Sequence, residues 1–212
     1  MKITRISKRK NRRLYDIFID DEPIMSVSSK KVLDKFGLEP GLVIQPEEFY
    51  EVKKNIELFE AENILLQFLS YRFRSKKEIQ QKLRKKRISQ SAIDQLIEKY
   101  EQKGFINDDN FAESYILDLI SHHPQGSYSI KQKLRQKGIS NEIIQRLSEE
   151  YLSQENEYDM AVKELTKKKS KYMKMEHHER RNKALAFLQR KGFSYSCARA
   201  SVEEVLSGSE ES

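Results

Sequence analysis

Cysteine is nearly absent, long apolar runs are missing and histidine is scarce, and each shortage excludes something. The single cysteine, Cys197, rules out an intramolecular disulfide and fits a reducing compartment. No apolar run approaches the roughly 18 residues that a membrane span requires. The N-terminus, MKITRISKRKNRRLYDIF, is basic but has no apolar stretch behind it, so it does not read as a secretory signal. A soluble, cytoplasmic chain is expected. No GxxxxGK[ST] phosphate loop is present, so nucleotide hydrolysis has no cradle. The four histidines fall in two adjacent pairs, His122 with His123 and His177 with His178. Helix neighbours point about 100° apart and do not clasp one metal. Cys197 stands at an apolar position without an adjacent base and reads as a buried structural thiol. Asp108 and Asp109, at the start of a helical pattern, read as capping and dipole-complementing residues rather than as a metal pair. No catalytic centre, metal or cofactor is expected.

What the chain does have is charge and repetition. Charged residues make up 34% and apolar residues 37%, a ratio that suits thin units exposing much surface. Forty basic residues against 33 acidic ones leave a net charge of +7, which favours acidic partners: nucleic acid, an acidic protein face or anionic lipid. The stretch KKEIQQKLRKKRIS, Lys76 to Ser89, returns as IKQKLRQKGIS, Ile130 to Ser140, and more weakly as ALAFLQRKGFS, Ala184 to Ser194. Leu83, Leu134 and Leu188 are equivalent, with offsets of 51 and 54 residues. A period near fifty residues marks a repeat architecture.

Along the chain the pattern changes once. From Ile3 to Val27 the period is two, with β-rich runs around an acidic turn at Asp20, Asp21, Glu22 and Pro23. This predicts a β-hairpin with a half-buried face of Ile3, Ile6, Ile17, Ile19 and Ile24, backed by the short helix KKVLDKF and closed by Leu38 to Pro46. After Pro46 the pattern is helical, beginning with a stripe of Leu58, Leu65, Leu66, Phe68, Leu69 and Phe73. Ser75 with Glu78 forms a capping box. Each repeat then writes the same corner: Ile88, Ser89 and Ile93; Ile139, Ser140 and Ile144; Phe193, Ser194 and Ala198. That is a hydrophobic staple around a serine cap. Gly138 and Gly192 stand where a left-handed residue ends the preceding helix, whereas the first copy has Arg87, so its corner should be strained or differently shaped. Ile106, Asn107 and Phe111 make a further staple. The third helix of a unit is DDNFAESYILDLI, with the counterpart NEYDMAVKELTKKKSKYM.

The expected fold is mainly α: tandem three-helix repeats forming an elongated, curved rod behind a small N-terminal β-hairpin domain. The expected divisions are residues 1–46, 47–104, 105–154 and 155–212, the last with a flexible C-terminal tail.

The strongest functional signal is a basic face. Lys82, Arg84, Lys85 and Lys86 recur as Lys133, Arg135 and Lys137, and partly as Arg190 and Lys191. Cations in a last helical turn also complement the helix dipole, which is worth only about 0.3 to 1 kcal/mol each. Stacking the units would turn these local charges into a stripe able to follow phosphates or the acidic groove of a protein filament. Arg12 and Arg13 in KRKNRR, and Lys167, Lys168 and Lys169 in KELTKKKSKYMK, add to it. Most tyrosines fall at core spacing. Tyr71, Tyr128 and Tyr195, near helix starts, are the candidates for exposed rings.

The segment GFINDDNFAESYI resembles the G-[FY]-[IL]-[DN]-D-x-x-[FY]-A run of the RecX family of RecA regulators. GSYSIKQKLRQKGIS and NKALAFLQRKGFSYSCARASV resemble that family's helix-turn and C-terminal block, so the likeness runs from about Leu58 to Leu206. Two departures are Ser127, where the family often has proline, and Arg87, where glycine is usual. The resemblance implies a non-enzymatic modulator in DNA repair and recombination. It would bind in the groove of the RecA filament on single-stranded DNA and inhibit strand exchange, ATP turnover and coprotease function. A monomer that contacts RecA mainly and single-stranded or double-stranded DNA more weakly is expected. The residues alone leave open a general nucleic-acid-binding helical module or a structural adaptor.

Overall fold

The structure is a computed structural model that describes residues 1–10 and 14–207. Arg12, Arg13 and the expected C-terminal tail lie outside the described residues. The chain divides into two compact units, Met1–Arg72 with Ile79–Lys103, and Phe73–Glu78 with the chain from Gly104 onward.

The first unit opens on a sheet of three strands rather than two. Strands β1 (Ile3–Lys8), β2 (Tyr15–Ile19) and β3 (Glu22–Val27) form an antiparallel meander with β2 in the centre. At the β1–β2 end of the sheet, Arg9 N–H donates to the Leu14 carbonyl at 2.9 Å. Asp20 and Asp21 both have positive φ, 49° and 67°, as a two-residue turn between antiparallel strands requires, and aspartate tolerates that region better than most residues. Ile17 pairs with Met25 but Phe18 pairs with Pro23, so Ile24 is the extra residue of a bulge. This corrects the expected buried face: Ile24 is 41% exposed, while Ile3, Ile17 and Ile19 are buried. Pro23 removes a donor at no cost because β3 is an edge strand.

Helix α1 (Lys30–Lys35) buries Val32 and Leu33 against the sheet. The closing segment adds one bridge, Lys2 to Val43. Helix α2 (Pro46–Leu69) starts with proline and two glutamates in its first turn, the residues a helix N-terminus favours. Its first half completes the sheet core with Phe49 and Ile56, and its second half packs on α4. The buried line runs through Ala61 and Leu65, leaving Leu66 at 44% exposure. A run of adjacent leucines cannot say which one faces inward.

Helices α3 (Lys76–Lys85) and α4 (Gln90–Gln102) complete the first repeat. The second comprises α5 (Asp108–His122), α6 (Ser127–Gln136) and α7 (Asn141–Tyr151). The third comprises α8 (Gln154–Thr166), α9 (Lys169–Tyr172), α10 (His177–Arg190) and α11 (Tyr195–Ser207). The predicted single helix NEYDMAVKELTKKKSKYM is therefore two. It breaks at Lys167 and Lys168, and the short α9 turns Tyr172 inward, where it is buried.

The repeated corner is realised three times. Ile88, Ile139 and Phe193 donate their N–H groups to Leu83, Leu134 and Leu188 five residues back, at 3.3, 3.1 and 3.2 Å. Arg87, Gly138 and Gly192, at φ of 61°, 84° and 86°, supply the left-handed residue that the motif needs. Ser89, Ser140 and Ser194 then accept from the amides of Ala92, Ile143 and Cys197. The first corner is thus strained rather than differently shaped.

Within the second unit, the start of one middle helix sits on the corner of the next. Ser75 Oγ donates to the Lys137 carbonyl at 2.8 Å, and Gly126 N–H donates to the Lys191 carbonyl at 3.0 Å. A Cβ on Gly138 would meet Lys77 Cβ at 2.9 Å, and one on Gly192 would meet Ser129 Cβ at 2.5 Å. A Cβ on Gly126 would collide with the Gly192 backbone. Carboxylates seal these junctions: Asp108 accepts from Lys76 N–H at 2.8 Å, and buried Glu157 accepts from Ser127 N–H and Oγ and from Ser194 N–H. Ser127 uses the amide hydrogen that a proline there would lack.

Two substitutions test this reading by urea unfolding of the full chain. Arg87→Gly relieves a left-handed side chain and should raise stability by about 1 kcal/mol. Gly192→Ala adds both the backbone strain and the clash with Ser129, and should lower stability by about 2 kcal/mol or more.

Candidate anionic-partner interface

The structure sorts the predicted cations into three groups. In the second unit, Lys133, Lys167, Arg190 and Lys191 line one cleft of about 600 Å³ with His122, His123 and Glu164. They come from α6, from the end of α8 and from the end of α10. The acid at the floor organises them. Glu164, whose side chain is 8% exposed, accepts from Lys167 Nζ at 2.5 Å through one oxygen and from Lys191 Nζ through the other. Lys191 also donates to the Pro124 carbonyl at 3.2 Å. Burial pushes the Glu164 carboxyl up, but the two ammonium groups outweigh it and hold it below the usual carboxylate range. One buried carboxylate thus fixes two ammonium groups side by side, and Lys133 and Arg190 add positive charge at the rim.

A second group stays in the first unit. Lys82 lies over the Phe68 ring at 5.3 Å, and Lys82 and Lys86 line a cleft of about 300 Å³ with Phe68 and Tyr71. Lys85 is exposed nearby in sequence. Tyr71, Tyr128 and Tyr195 are 74%, 65% and 58% exposed, as their positions predicted.

The third group is taken up by local bonds. Arg84 places Nε and a terminal nitrogen on Gln90 Oε1, at 3.1 and 3.0 Å, and its equivalent Arg135 donates to Asn141 Oδ1 at 3.3 Å. Lys137 binds Glu78 at 2.5 Å, so its charge is matched. Arg135 lines a different cleft from Lys133. Two positions along a helix is about 200° of rotation, so Lys133 and Arg135 on α6 cannot share a face. Lys168 lies over Phe187 at 5.0 Å, and Lys169 begins α9. Glu164 escaped sequence reading because nothing in the run KELTKKKSKYMK tells a buried glutamate from a solvated one.

Cys197 is buried, and burial pushes its thiol up to about 11, away from a reactive thiolate. Asp109 pairs with Arg146, while Asn107 caps α5 by accepting from Asp109 N–H at 2.8 Å. Among the described residues no group of three or more histidine, cysteine or carboxylate side chains is placed to hold a metal. No helix among them is long and apolar enough to cross a membrane.

Profiles of the first, second and third three-helix domains of RecX match residues 61–99, 107–147 and 155–201. The chain belongs to the RecX family. It is 36% identical over 208 residues to the regulatory protein RecX of Listeria monocytogenes serovar 1/2a, covering 98% of this chain and 77% of that one. It is 33% identical over 204 residues to regulatory protein RecX of Bacillus subtilis strain 168, covering 96% and 76%. A crystal structure of regulatory protein RecX aligns at a TM-score of 0.66 and 26% identity over 98% of both chains. The crystal structure of RecX from Lactobacillus salivarius aligns at 0.63 and 30% identity over 70% of this chain and 96% of that one. A regulatory role follows from this membership, and the RecX domains supply the helices that carry the cleft cations.

The Glu164 cleft makes a pH prediction. Its carboxyl pKa is lower folded than unfolded, so the stability it contributes is complete above the ordinary glutamate value of about 4.3 and is lost as pH falls through the folded value. Glu164→Gln should lower the melting temperature at neutral pH and flatten its decline on acidification, measured by circular dichroism.

Proposed function

We propose that this chain inhibits a RecA recombinase by lying along the RecA filament on single-stranded DNA, contacting protein mainly and DNA secondarily. It acts as a binding protein without catalysis of its own, a cytoplasmic monomer that opposes strand exchange, ATP turnover and coprotease function. The observation that carries this reading is the Glu164-anchored cleft, where Lys133, Lys167, Arg190 and Lys191 come together on two successive RecX domains. Cations held on rigidly linked units add their weak contacts, because once the first binds, the rest engage at high effective concentration. Such contacts weaken with salt as counterions are exchanged.

A second reading, a general binder of single-stranded nucleic acid, is favoured by one observation. Tyr71 exposes its ring beside Lys82 and Lys86, the combination that stacks a base and holds its phosphate. Competition between bare single-stranded DNA and RecA-coated DNA separates the two, since the first reading requires preference for the coated form.

Lys133→Glu with Arg190→Glu leaves the Glu164 pairs intact and reverses the free rim charges. This variant should need about tenfold more protein to inhibit RecA ATP turnover, with a shallower salt dependence and an unchanged circular dichroism spectrum. Undiminished inhibition would reject the cleft as the contact.

A further inference from the structure

Arg87 is the anomaly of the three corners. Gly138 and Gly192 have no room for a side chain because the start of another helix lies against them, whereas the first corner carries an exposed arginine at φ 61°. Steric freedom explains why a side chain is possible there but not why a strained one is kept. Residues held in this region concentrate where the structure uses them.

Arg87 lines a cleft of about 440 Å³ in the first unit, built from β3, α2 and the corner. Met25, Ile56 and Ile88 give it an apolar floor. Tyr50, Lys53, Lys54 and Glu57 fall at the spacing of one face of α2, and Tyr50 is 65% exposed. Lys53, Lys54 and Arg87 are exposed at the cleft. Its two acids are turned to the protein's own donors. Glu57 accepts from Ser89 N–H at 2.7 Å and Ser89 Oγ at 2.9 Å, and Glu60 accepts from Ser28 N–H at 2.5 Å. The glutamates are therefore occupied, and the three cations face solvent around an apolar centre.

We propose that this cleft docks an acidic peptide segment of a partner protein. One apolar or aromatic side chain of the segment rests on Met25, Ile56 and Ile88 beside Tyr50, and its carboxylates meet Lys53, Lys54 and Arg87. A guanidinium forks onto a carboxylate in a way glycine cannot supply, which gives the arginine its use. Phosphates alone would need the cations but not the apolar floor, so the chemistry favours peptide over nucleic acid. This inference goes beyond the filament reading, which rests on cations of the other unit.

The test uses the full chain and fluorescence anisotropy at physiological salt with three labelled probes. They are a dodecapeptide of aspartate and glutamate around a central phenylalanine, the same peptide with glycine at the centre, and an oligothymidylate of equal charge. The phenylalanine peptide should bind at least about tenfold more tightly than either of the others. Arg87→Gly should weaken it about tenfold while raising thermal stability, a pairing that loss of fold cannot mimic. Lys53→Glu with Lys54→Glu should weaken it likewise, whereas Lys133→Glu with Arg190→Glu should leave it unchanged. No binding by the unmodified chain, equal binding of all three probes, or indifference to Arg87→Gly would each overturn the proposal. Failure of filament inhibition alone would reject only the separate reading of the Glu164 cleft.

Discussion

Everything in the second unit depends on how closely a helix start can approach a left-handed corner. Ser75 and Gly126 reach the carbonyls of Lys137 and Lys191, and that approach is open only because residues 138 and 192 have no Cβ. Burying a helix N-terminus leaves its amides without water, which would be costly if they found no acceptor. Asp108 and Glu157, each on the first turn of the following repeat, provide that acceptor. Glu157 serves the starts of both α6 and α11, where two helix dipoles point positive ends at one buried carboxylate. The repeats are thus joined by backbone donors and acid acceptors as well as by apolar packing.

The same junctions decide which cations are matched by acids. Lys137 and Lys191 stand at equivalent helix ends and are drawn onto Glu78 and Glu164. Their charge holds the junctions, and only at Glu164 does a further set of cations gather around the pair. Arg84 and Arg135 bind the first residue of the next helix, Gln90 and Asn141, and so brace the corner angle. A basic run in the sequence therefore contains residues that brace a corner and residues whose charge stays at a cleft rim.

Much of the architecture was legible beforehand. The serine caps and the left-handed glycines at positions 138 and 192 rest on contacts within a few residues of one another and appear as read, while at Arg87, where the sequence left a strained or a differently shaped corner open, the strained one is found. Errors arose where a local pattern admits two outcomes. The bulge that turns Ile24 outward leaves no mark in an alternating run, and adjacent Leu65 and Leu66 offer equal claims to the core. The hairpin became a three-stranded meander because Ile3–Lys8 and Tyr15–Ile19 pair as separate antiparallel strands, which a period of two does not distinguish from one continuous run.

By itself, the sequence determined the repeating helices, their corners and the positive balance of the surface, because capping, left-handed glycine and charge act over one or two turns. Only the tertiary structure decided that Glu157 and Glu164 are buried, that Glu57 and Glu60 turn to Ser89 and Ser28, and that Lys133 and Arg190 line one cleft from helices far apart in the chain. Those outcomes depend on which donors a folded neighbour brings within about 3 Å, and no local spacing encodes that.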